Sequence, residues 1–502
     1  MKTRKFLWAV LPMMAAALAM TACGGDDDTD TKPVPVSPTD NTDKTEKTEK
    51  SIPYTVTVKG DPETTRATVN ADGKTMNFAD DDELYISGGG DIHGVLTLQS
   101  GAGSEEATFS GTLYYEASTP PNSSTSLTAT LVSSNNKVAD ITDDKVTDFT
   151  YPTENNVCST LADAVSQYSQ LTGTGNYGSG DIVLYQSTAF LKFTVTLEDG
   201  TTGGASVPVS VTSDGSATIG TGTASTTGSN RFFDIQTVFY VPVAGGTVIT
   251  KDASMCVANV DDDDESITYG ASTNKKLTGG NVYTVSKTKD FVRLWAGGPV
   301  WRSKNVGASS VTDYGGYYCW GGKTDVTSTS YDCSWNDNCP YWTSGTESNT
   351  AKFKKYVATD HTERWENTES TTPDNKLELE AGDDVAYTIT PSGTWRMPKI
   401  DEFKNLLSNT DDAGTTISVA GNSVNGRTFT GNTTGYEGKA IFLPAAGYRN
   451  GIKLTTGLRY WSSSLEASTS YRGCELILEG NAVTTSVSGR QRGRSVRPVR
   501  TN

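Results

Sequence analysis

The residues that could support catalysis or bind a metal are few in this chain of 502 residues. It contains seven cysteines and only two histidines, His93 and His361. Because no Cys-x-x-Cys pair occurs and histidines are scarce, the spacing does not indicate a structural zinc site. The sequence also lacks a Gly-x-Ser-x-Gly elbow and any set typical of a serine, histidine and aspartate triad. We therefore predict that the protein is not an enzyme.

Cys23 has the clearest chemistry, because the residues before it resemble a lipobox, the sequence at which lipoproteins are acylated. A positively charged start, an apolar run from Phe6 to Met20 and the small residues Thr21 and Ala22 lead directly into it. The run is too short for a permanent membrane helix. We expect Cys23 to be diacylated and to anchor the mature chain, since each buried methylene adds about 0.8 kcal/mol. A plain secretory signal with an incidental cysteine is the alternative.

The acidic tract Gly24–Asp28 resembles the signal that sends some lipoproteins to the outside of the outer membrane, and a solvated linker is the alternative. The formal net charge is −17, and removal of a leader with three basic residues makes it −20 (−17 − 3). Such an acidic chain argues against nucleic acid as a partner and against direct electrostatic binding to anionic lipid. We therefore predict a cell outer membrane location, with acyl chains such as palmitate as the attachment.

A possible metal motif, Trp335-Asn336-Asp337, resembles the signature of calcium-dependent sugar-binding proteins. Oxygen atoms of Asn336 and Asp337 suit calcium, which is a hard cation. The motif lies early in its region and lacks the upstream proline between polar ligands, so chance similarity is the alternative. The acidic runs Asp80–Glu83 and Asp261–Glu265 could also bind calcium or form solvated loops. We expect no cofactor, with calcium as the one open candidate.

The aromatic residues predict a ligand surface. Eight of the nine tryptophans lie beyond Lys289, which marks a change in composition, and three of them fall in a polar insert between Lys323 and Asp384. Exposed aromatic rings in such an insert form a stacking surface for a sugar or a hot spot for a protein. The candidate ligand surface consists of Tyr331, Trp335, Tyr341, Trp342 and Trp365.

The elements that must position these residues are predicted to be mainly strands. The chain has 50 glycines, and turns rich in Gly, Asp and Ser separate runs of alternating apolar and polar residues. Helical spacing predicts helices over Ser159–Gln170, with Gly173 as a stop, and over Lys399–Leu407. The predicted strands cover residues 54–58, 83–87, 94–99, 107–115, 126–132, 189–197, 206–211 and 237–241.

The region from residue 54 to 288 resembles the fimbrillin-like family. The similarity rests on Thr64–Ala67, Met76–Ile86 and the closing segment Leu277–Val285. Members of this family build paired β-sandwiches, and many are exported as lipoproteins and assembled into fimbriae. The resemblance implies two antiparallel β-sandwiches, which we place at residues 51–172 and 173–288.

The same resemblance gives Arg66 and Ala67 a role as a candidate processing site. In polymerising relatives, a trypsin-like protease cuts after an arginine early in the mature chain. The first strand then leaves, and the groove accepts a strand from another subunit by β-augmentation. If this chain is cut there, it loses its own lipid. An ordinary surface arginine is the alternative.

Residues 289–502 resemble a second surface family, which has a C-type-lectin-like fold and is often described as the major paralogous domain. Six blocks match in the family's order, at residues 301–308, 314–321, 395–403, 441–449, 460–464 and 495–499. The resemblance implies an α+β domain after the two sandwiches, on a scaffold that does not fix function. A signal peptide at 1–22 and a lipidated, acidic, disordered stalk at 23–50 complete the predicted domain order.

Two groups of residues in this last domain are predicted to be structural. Lectin-like folds also host formylglycine-generating enzymes, which use a cysteine pair. Cys474 lies on an apparent strand without that family's surrounding pattern, so we expect it to be buried or disulfide-bonded. The arginines near the end of the sequence are predicted to be strand-edge residues paired with the acidic body: Arg490, Arg492, Arg494, Arg497 and Arg500.

The sequence therefore predicts a surface-exposed lipoprotein adhesin that acts as a fimbrial tip or accessory subunit. It would bind a host or microbial ligand, a glycan or a protein, through the lectin-like domain, and fimbrial subunits by strand exchange. A large C-terminal domain is awkward for a repeating shaft subunit, which needs a free donor strand there. The alternative is a cell-surface glycan-binding lipoprotein of a polysaccharide-uptake system.

Overall fold

The computed structural model describes residues 49–60, 77–116, 118–259, 265–326, 339–346, 349–389, 394–419, 421–450 and 453–500. Within these ranges, no helix is long and apolar enough to cross a membrane. Strands dominate, so the prediction of a mainly β protein is confirmed. Seven of the predicted functional residues lie outside the described residues: Cys23, Arg66, Ala67, Tyr331, Trp335, Asn336 and Asp337.

The described strands before Ser187 form a closed sheet and a separate hairpin, β6-β7. Seven strands follow the order β1-β4-β3-β2-β5-β8-β9, and β1 closes the ring by pairing antiparallel with β4 and parallel with β9. Closure leaves no open strand edge. The bounds are β1 Lys50–Gly60, β2 Glu83–Gly88, β3 Ile92–Ser100, β4 Glu106–Tyr115, β5 Ser126–Val132, β6 Ala139–Thr142, β7 Lys145–Phe149, α1 Leu161–Tyr168, β8 Leu171–Asn176 and β9 Ile182–Gln186.

The chain leaves this closed sheet at Ser187, later than the predicted boundary at residues 172 and 173, which falls inside β8. The glycines of this stretch suggest a turn in the sequence. In the fold they allow two strands to approach closely: a Cβ atom on Gly173 would lie 2.1 Å from the carbonyl oxygen of Val183. In this stretch, glycines that look like part of a turn therefore lie instead in closely packed strands.

The next strands form a second sheet. Seven of them follow the order β16-β15-β11-β12-β13-β10-β18, and β14 pairs with β17. The rings of Phe193 and Phe239 stack in its core with centroids 4.9 Å apart. The bounds are β10 Thr188–Leu197, β11 Ser206–Thr212, β12 Thr218–Thr227, β13 Gln236–Ala244, β14 Val248–Ile249, β15 Ser254–Val257, β16 Ile267–Thr268, β17 Lys275–Lys276 and β18 Val282–Lys289.

The C-terminal region, residues 289–500, mixes short strands and helices. Its sheets are β19-β20-β31, β23-β24-β25 and β28-β29-β30, with the pairs β21-β22 and β26-β27. The bounds are β19 Phe291–Arg293, β20 Val300–Arg302, β21 Trp342–Ser344, β22 Lys352–Phe353, 3₁₀ turns Thr362–Arg364 and Ala381–Asp383, α2 Val385–Ile389, α3 Ile400–Asn409, β23 Thr410–Val419, β24 Asn422–Gly431, β25 Ala440–Pro444, β26 Tyr448–Asn450, β27 Lys453–Thr455, β28 Arg459–Leu465, β29 Arg472–Glu479, β30 Ala482–Gly489 and β31 Val499–Arg500. The lectin-like assignment stays a prediction.

Both predicted helices are present. The first is shorter than predicted, because Ser169 already has an extended backbone and the predicted stop, Gly173, lies in β8. The Thr160 side chain caps α1 by accepting a hydrogen bond from the Asp163 N–H. In α3, the Glu402 side chain accepts from the Lys399 N–H at 2.7 Å. This carboxylate therefore caps the helix and also interacts favourably with the positive end of the helix dipole.

Three of the terminal arginines are buried, so the prediction of strand-edge positions is wrong for Arg490, Arg494 and Arg497. Of these, Arg494 pairs with a carboxylate, 2.6 Å from Glu475. Arg497 instead donates to the Asn305 side chain and to the carbonyl oxygens of Arg302, Ser303 and Phe442 at 2.5–2.9 Å. A planar guanidinium has five donors, and buried carbonyls can use all of them.

A second buried cluster joins the second sheet to the C-terminal region. The ammonium of Lys289 lies 2.9 Å from Glu265 and 3.3 Å from Asp199, and Lys439 lies 3.6 Å from Glu265. Burial opposes ionisation of Glu265, but the two lysines outweigh it and lower the pKa of this carboxyl. The Ala440 N–H also donates to the Asp199 carbonyl oxygen at 2.9 Å. Charges and backbone together hold the two parts against each other.

The described cysteines give no sign of a reactive thiol. Cys158, Cys339 and Cys474 are buried and form no disulfide. Burial raises the pKa of Cys474 to about 12 and that of Cys158 to about 11. A thiol with so high a pKa is a poor nucleophile near neutral pH. Cys474 lies on β29, in agreement with the strand and the burial predicted for it.

The arginine network predicts a large stability loss for Arg497→Met. The substitution leaves several buried oxygens without a donor, and each such group costs roughly 1–3 kcal/mol. We expect the free energy of unfolding, measured by urea denaturation, to fall by more than about 3 kcal/mol. The matched control is Arg492→Met, because Arg492 is partly exposed and its guanidinium donates to Ser488 over a long distance of 3.5 Å. Equal losses for the two variants would contradict this role of Arg497.

Candidate functional site

The structure brings together the three predicted ligand residues that it describes, in and beside the β21-β22 hairpin. The indole N–H of Trp342 donates to the Gly345 carbonyl oxygen at 2.7 Å, and that of Trp365 to the Ser370 carbonyl oxygen at 2.7 Å. Both rings pack on a small buried cluster that includes Phe353. The two tryptophans therefore support the hairpin, and Tyr341 is the one of the three that lines an open groove.

The groove has two adjoining hollows that share Tyr341 and Lys354, and we call it the Tyr341 groove. The larger hollow, of about 540 Å³, is lined by Tyr341, Thr343, Lys354, Lys355, Glu366, Asn367, Thr368 and Glu369. The smaller, of about 350 Å³, is lined by Cys319, Gly321, Gly322, Lys323, Thr324, Val326, Pro340, Tyr341 and Lys354. Together they offer an aromatic ring surrounded by hydrogen-bonding and charged groups, a combination typical of sites for polar ligands.

Two tyrosines of the site have an unusual backbone. Tyr341 has φ of 64° and Tyr356 has φ of 62°, which is the left-handed region that bulky residues rarely adopt. Such a conformation costs about 1–3 kcal/mol and persists where surrounding contacts hold it. Here both phenol hydroxyls donate to the carboxylate of Asp383, and the Lys354 N–H donates to the Tyr341 carbonyl oxygen at 2.9 Å. The ring positions are therefore fixed from two sides.

Lys355 balances the charge at this point. Its ammonium lies 2.5 Å from both Asp383 and Glu380, and over the rings of Tyr341 and Tyr356 at 5.2 Å and 4.9 Å from their centroids. Burial opposes ionisation of Asp383, but Lys355 and the two hydroxyls outweigh it and lower the pKa of Asp383. Burial and the hydrogen bond to Asp383 raise the pKa of Tyr341 to about 12. Tyr341 therefore contributes a neutral phenol to the wall of the groove at neutral pH.

The rim of the larger hollow carries ionised and amide groups. Ser344 donates to Glu366 at 2.5 Å, and this hydrogen bond lowers the pKa of the Glu366 carboxyl. Asn367 donates to the Lys354 carbonyl oxygen at 3.1 Å, which fixes its amide beside the groove. Carboxylate and amide groups in fixed positions can bind the hydroxyl groups of a polar ligand.

The described residues include no group of three or more His, Cys, Asp or Glu side chains placed to hold a metal ion. The end of one acidic run, Glu265, is used in the buried cluster with Lys289. In the other run, Asp82 is buried and accepts from the Ala79 N–H at 2.9 Å, and burial raises its pKa to about 6. The expectation of solvated loops is therefore wrong for these two residues.

Sequence reasoning selected Tyr341 as a candidate from its aromatic type and missed the groups that hold it. Asp383, Lys355 and Tyr356 carry no motif, and Lys355 and Asp383 are 28 positions apart. Polar inserts commonly contain an aspartate, and they commonly contain a lysine next to a tyrosine, so neither feature marks a site in the sequence. Only the folded chain shows that these side chains converge.

Comparison with known proteins gives limited similarity. No family model and no curated protein matches the chain. Among solved structures, one from Bacteroides ovatus, provisionally described as a cell adhesion protein, shares 10% identity, with 46% of this chain and 91% of that chain covered and a TM-score of 0.28. The tip fimbrial protein Mfa3 and the fimbrial anchor protein Mfa2, both from Porphyromonas gingivalis, each share 9% identity with this chain. Each match covers 41% of this chain and 78% of the other, with a TM-score of 0.20. Similarity at this level does not establish a shared function.

The Asp383 network predicts a pH-dependent stability difference between the wild type and Asp383→Asn. Hydrogen bonds to a charged group contribute about 1.5–3 kcal/mol, so we expect the variant to lose about 2 kcal/mol at pH 7. Because the folded pKa lies below its ordinary value of 3.8, this contribution is complete above that pH and is lost as the pH falls through the folded pKa. The difference in urea midpoints should therefore narrow below about pH 4.

The control for this measurement is Asp401→Asn, because Asp401 is 78% exposed and pairs with Lys404 on the surface. We expect its effect to stay within about 0.5 kcal/mol at every pH. A loss for Asp383→Asn that is equally small, or that does not change with pH, would contradict the network.

Proposed function

We propose that this protein is a surface-exposed lipoprotein adhesin that binds a host or microbial ligand in the Tyr341 groove. The observation that carries the proposal is the groove itself, in which an aromatic ring and polar groups are held in place before any ligand arrives. A site that is already ordered binds with a smaller loss of conformational entropy. The groove also lies in the C-terminal region, which is joined to the second sheet by the ion pairs of Lys289, Glu265 and Lys439.

We further propose that it is a fimbrial tip or accessory subunit, processed after Arg66. The strand β1 ends at Gly60, just before this site. It contributes the buried side chains of Tyr54, Val56 and Val58 to the closed sheet, and it is hydrogen-bonded on both edges. Removal of β1 would expose the edges of β4 and β9 and an apolar groove between them. Such a groove is the acceptor that strand exchange requires.

The segment around Val499 is paired and buried within the C-terminal region, which bears on its use in strand exchange. The strand β31 is paired with β20, and Val499 is buried in the core of the C-terminal region. A repeating shaft subunit needs a donor strand that is free to leave its own fold. Residues 490–500 instead pair and pack within the C-terminal region, so this segment does not serve as a donor strand.

A glycan-binding lipoprotein of a polysaccharide-uptake system is the second candidate. It uses the same groove and the same anchor at Cys23, and it needs no processing at Arg66. Co-purification with fimbrial shafts favours the fimbrial role, whereas an uncut protein that binds glycans favours capture.

Mass spectrometry of the mature N-terminus tests the two roles. In the wild type, we expect chains that begin at Ala67 if the protein assembles, and Arg66→Ala should leave them with an acylated Cys23. Lys59→Ala is the matched control, because it removes a nearby basic residue without touching the proposed cleavage site. An acylated Cys23 on every wild-type chain would contradict the fimbrial role and leave the anchored glycan-binding protein.

A further inference from the structure

We propose that the Tyr341 groove selects an anionic saccharide, and that Lys323 and Lys354 hold its carboxylate or sulfate group in the smaller hollow. This inference rests on the proposed function and names the ligand class of the same site. It follows from how charge is distributed between the two hollows.

The smaller hollow is cationic. Among the described residues that line it, Lys323 and Lys354 carry charge and no carboxylate is present. The nearest acidic residue along the chain, Asp325, directs Oδ1 to the Tyr317 N–H at 3.0 Å and does not line the hollow. Two ammonium groups, with no carboxylate among the described lining residues, stand out in a chain with a net charge of −17. Such a local positive potential attracts anions.

The two lysines keep donors available for a ligand. Lys323 donates one hydrogen bond, to the Gly382 carbonyl oxygen at 2.8 Å, which holds its side chain beside the hollow. An ammonium has three donors, so two remain. Within the described part of the chain, Lys354 is exposed and has no ion pair. Lys355, its neighbour, is already neutralised by Asp383 and Glu380.

The larger hollow carries both signs of charge, because Lys354 and Lys355 line it as well as two carboxylates, and Lys355 is already paired with Asp383 and Glu380. Glu366 and Glu369 line it, together with Thr343, Asn367 and Thr368. Carboxylates, hydroxyls and an amide can bind the hydroxyl groups of a neutral sugar, and the two carboxylates disfavour a second anionic group there. Because Tyr341 and Lys354 line both hollows, a chain of sugars can pass from one to the other. We therefore expect a saccharide whose charged group lies at one end of the bound segment.

The experiment compares matched probes on the full chain by isothermal titration calorimetry. One pair is oligogalacturonate and its neutral methyl ester, and the other is a sulfated dextran oligosaccharide and unmodified dextran. We expect at least one anionic probe to bind about tenfold more tightly than its neutral partner, as a charge-assisted hydrogen bond provides. The pair that shows the difference identifies carboxylate or sulfate as the bound group.

The variants locate the binding. Lys354→Gln and Lys323→Gln should each weaken the anionic probe about tenfold and leave the neutral probe within twofold. Asn367→Ala, in the larger hollow, should weaken both probes. Lys404→Gln is the matched control, because this exposed lysine lies on α3 and pairs with Asp401. Thermal unfolding of each variant shows that the fold is intact.

Three outcomes overturn the inference in distinguishable ways. If neutral and anionic probes bind alike and Asn367→Ala weakens both, the groove remains the ligand site and the charge selection is wrong. If an anionic probe binds but no groove variant weakens it, both the ligand class and the groove of the proposed function are wrong. If no probe binds, the saccharide class is wrong, and processing after Arg66 is still decided by the mass of the mature N-terminus.

Discussion

The C-terminal region depends on guanidinium groups that are removed from water and directed at backbone carbonyls. Arg490 donates to the carbonyl oxygens of Tyr356 and Ser470 at 3.2 Å, and its guanidinium lies 4.1 Å from the ring centroid of Phe353. A buried charge costs several kcal/mol unless it is well solvated by its surroundings, and a delocalised cation suits carbonyls and aromatic faces. Burial lowers the pKa of Arg490 to about 10, so it stays charged at neutral pH. Tyr356, whose carbonyl oxygen accepts from Arg490, also donates its hydroxyl to Asp383. The buried Arg490 therefore helps to fix the residues beside the groove.

The cluster around Lys289 extends this constraint to the second sheet. Breaking a buried ion pair is costly because it leaves the other charge without a partner, so the two parts resist separation. Arg231 adds a second bridge, since it donates to the carbonyl oxygens of Gly200 at 2.8 Å and Gly438 at 3.2 Å. For the proposed adhesin, this arrangement carries force from a bound ligand directly into the β-rich part of the chain. The second sheet and the C-terminal region are therefore linked by ion pairs and by hydrogen bonds.

Alternation of apolar and polar residues predicted most strands of the two sheets, because burial of one face dictates that pattern. Ser126–Val132 agrees with the observed β5, and Ala189–Leu197 with all but the first residue of β10. The long hairpin β23-β24 was missed, since Asp, Gly, Thr and Asn hide its pattern. The buried arginines were missed for a related reason: the sequence shows charge, but only packing shows that carbonyls replace water. Of the candidate site, Tyr341 was predictable from its type, whereas Asp383 meets it only through tertiary contacts.

The contrast between Lys354 and Lys355 explains why a charge pattern alone cannot define this site. The two residues are adjacent, so composition and spacing treat them as one basic pair. Folding gives them different neighbours. Lys355 faces the strained tyrosines and two carboxylates, and it stabilises the groove wall. Lys354 lies between the two hollows, without an ion pair in the described part of the chain. One lysine is therefore part of the support, and the other is available to a ligand.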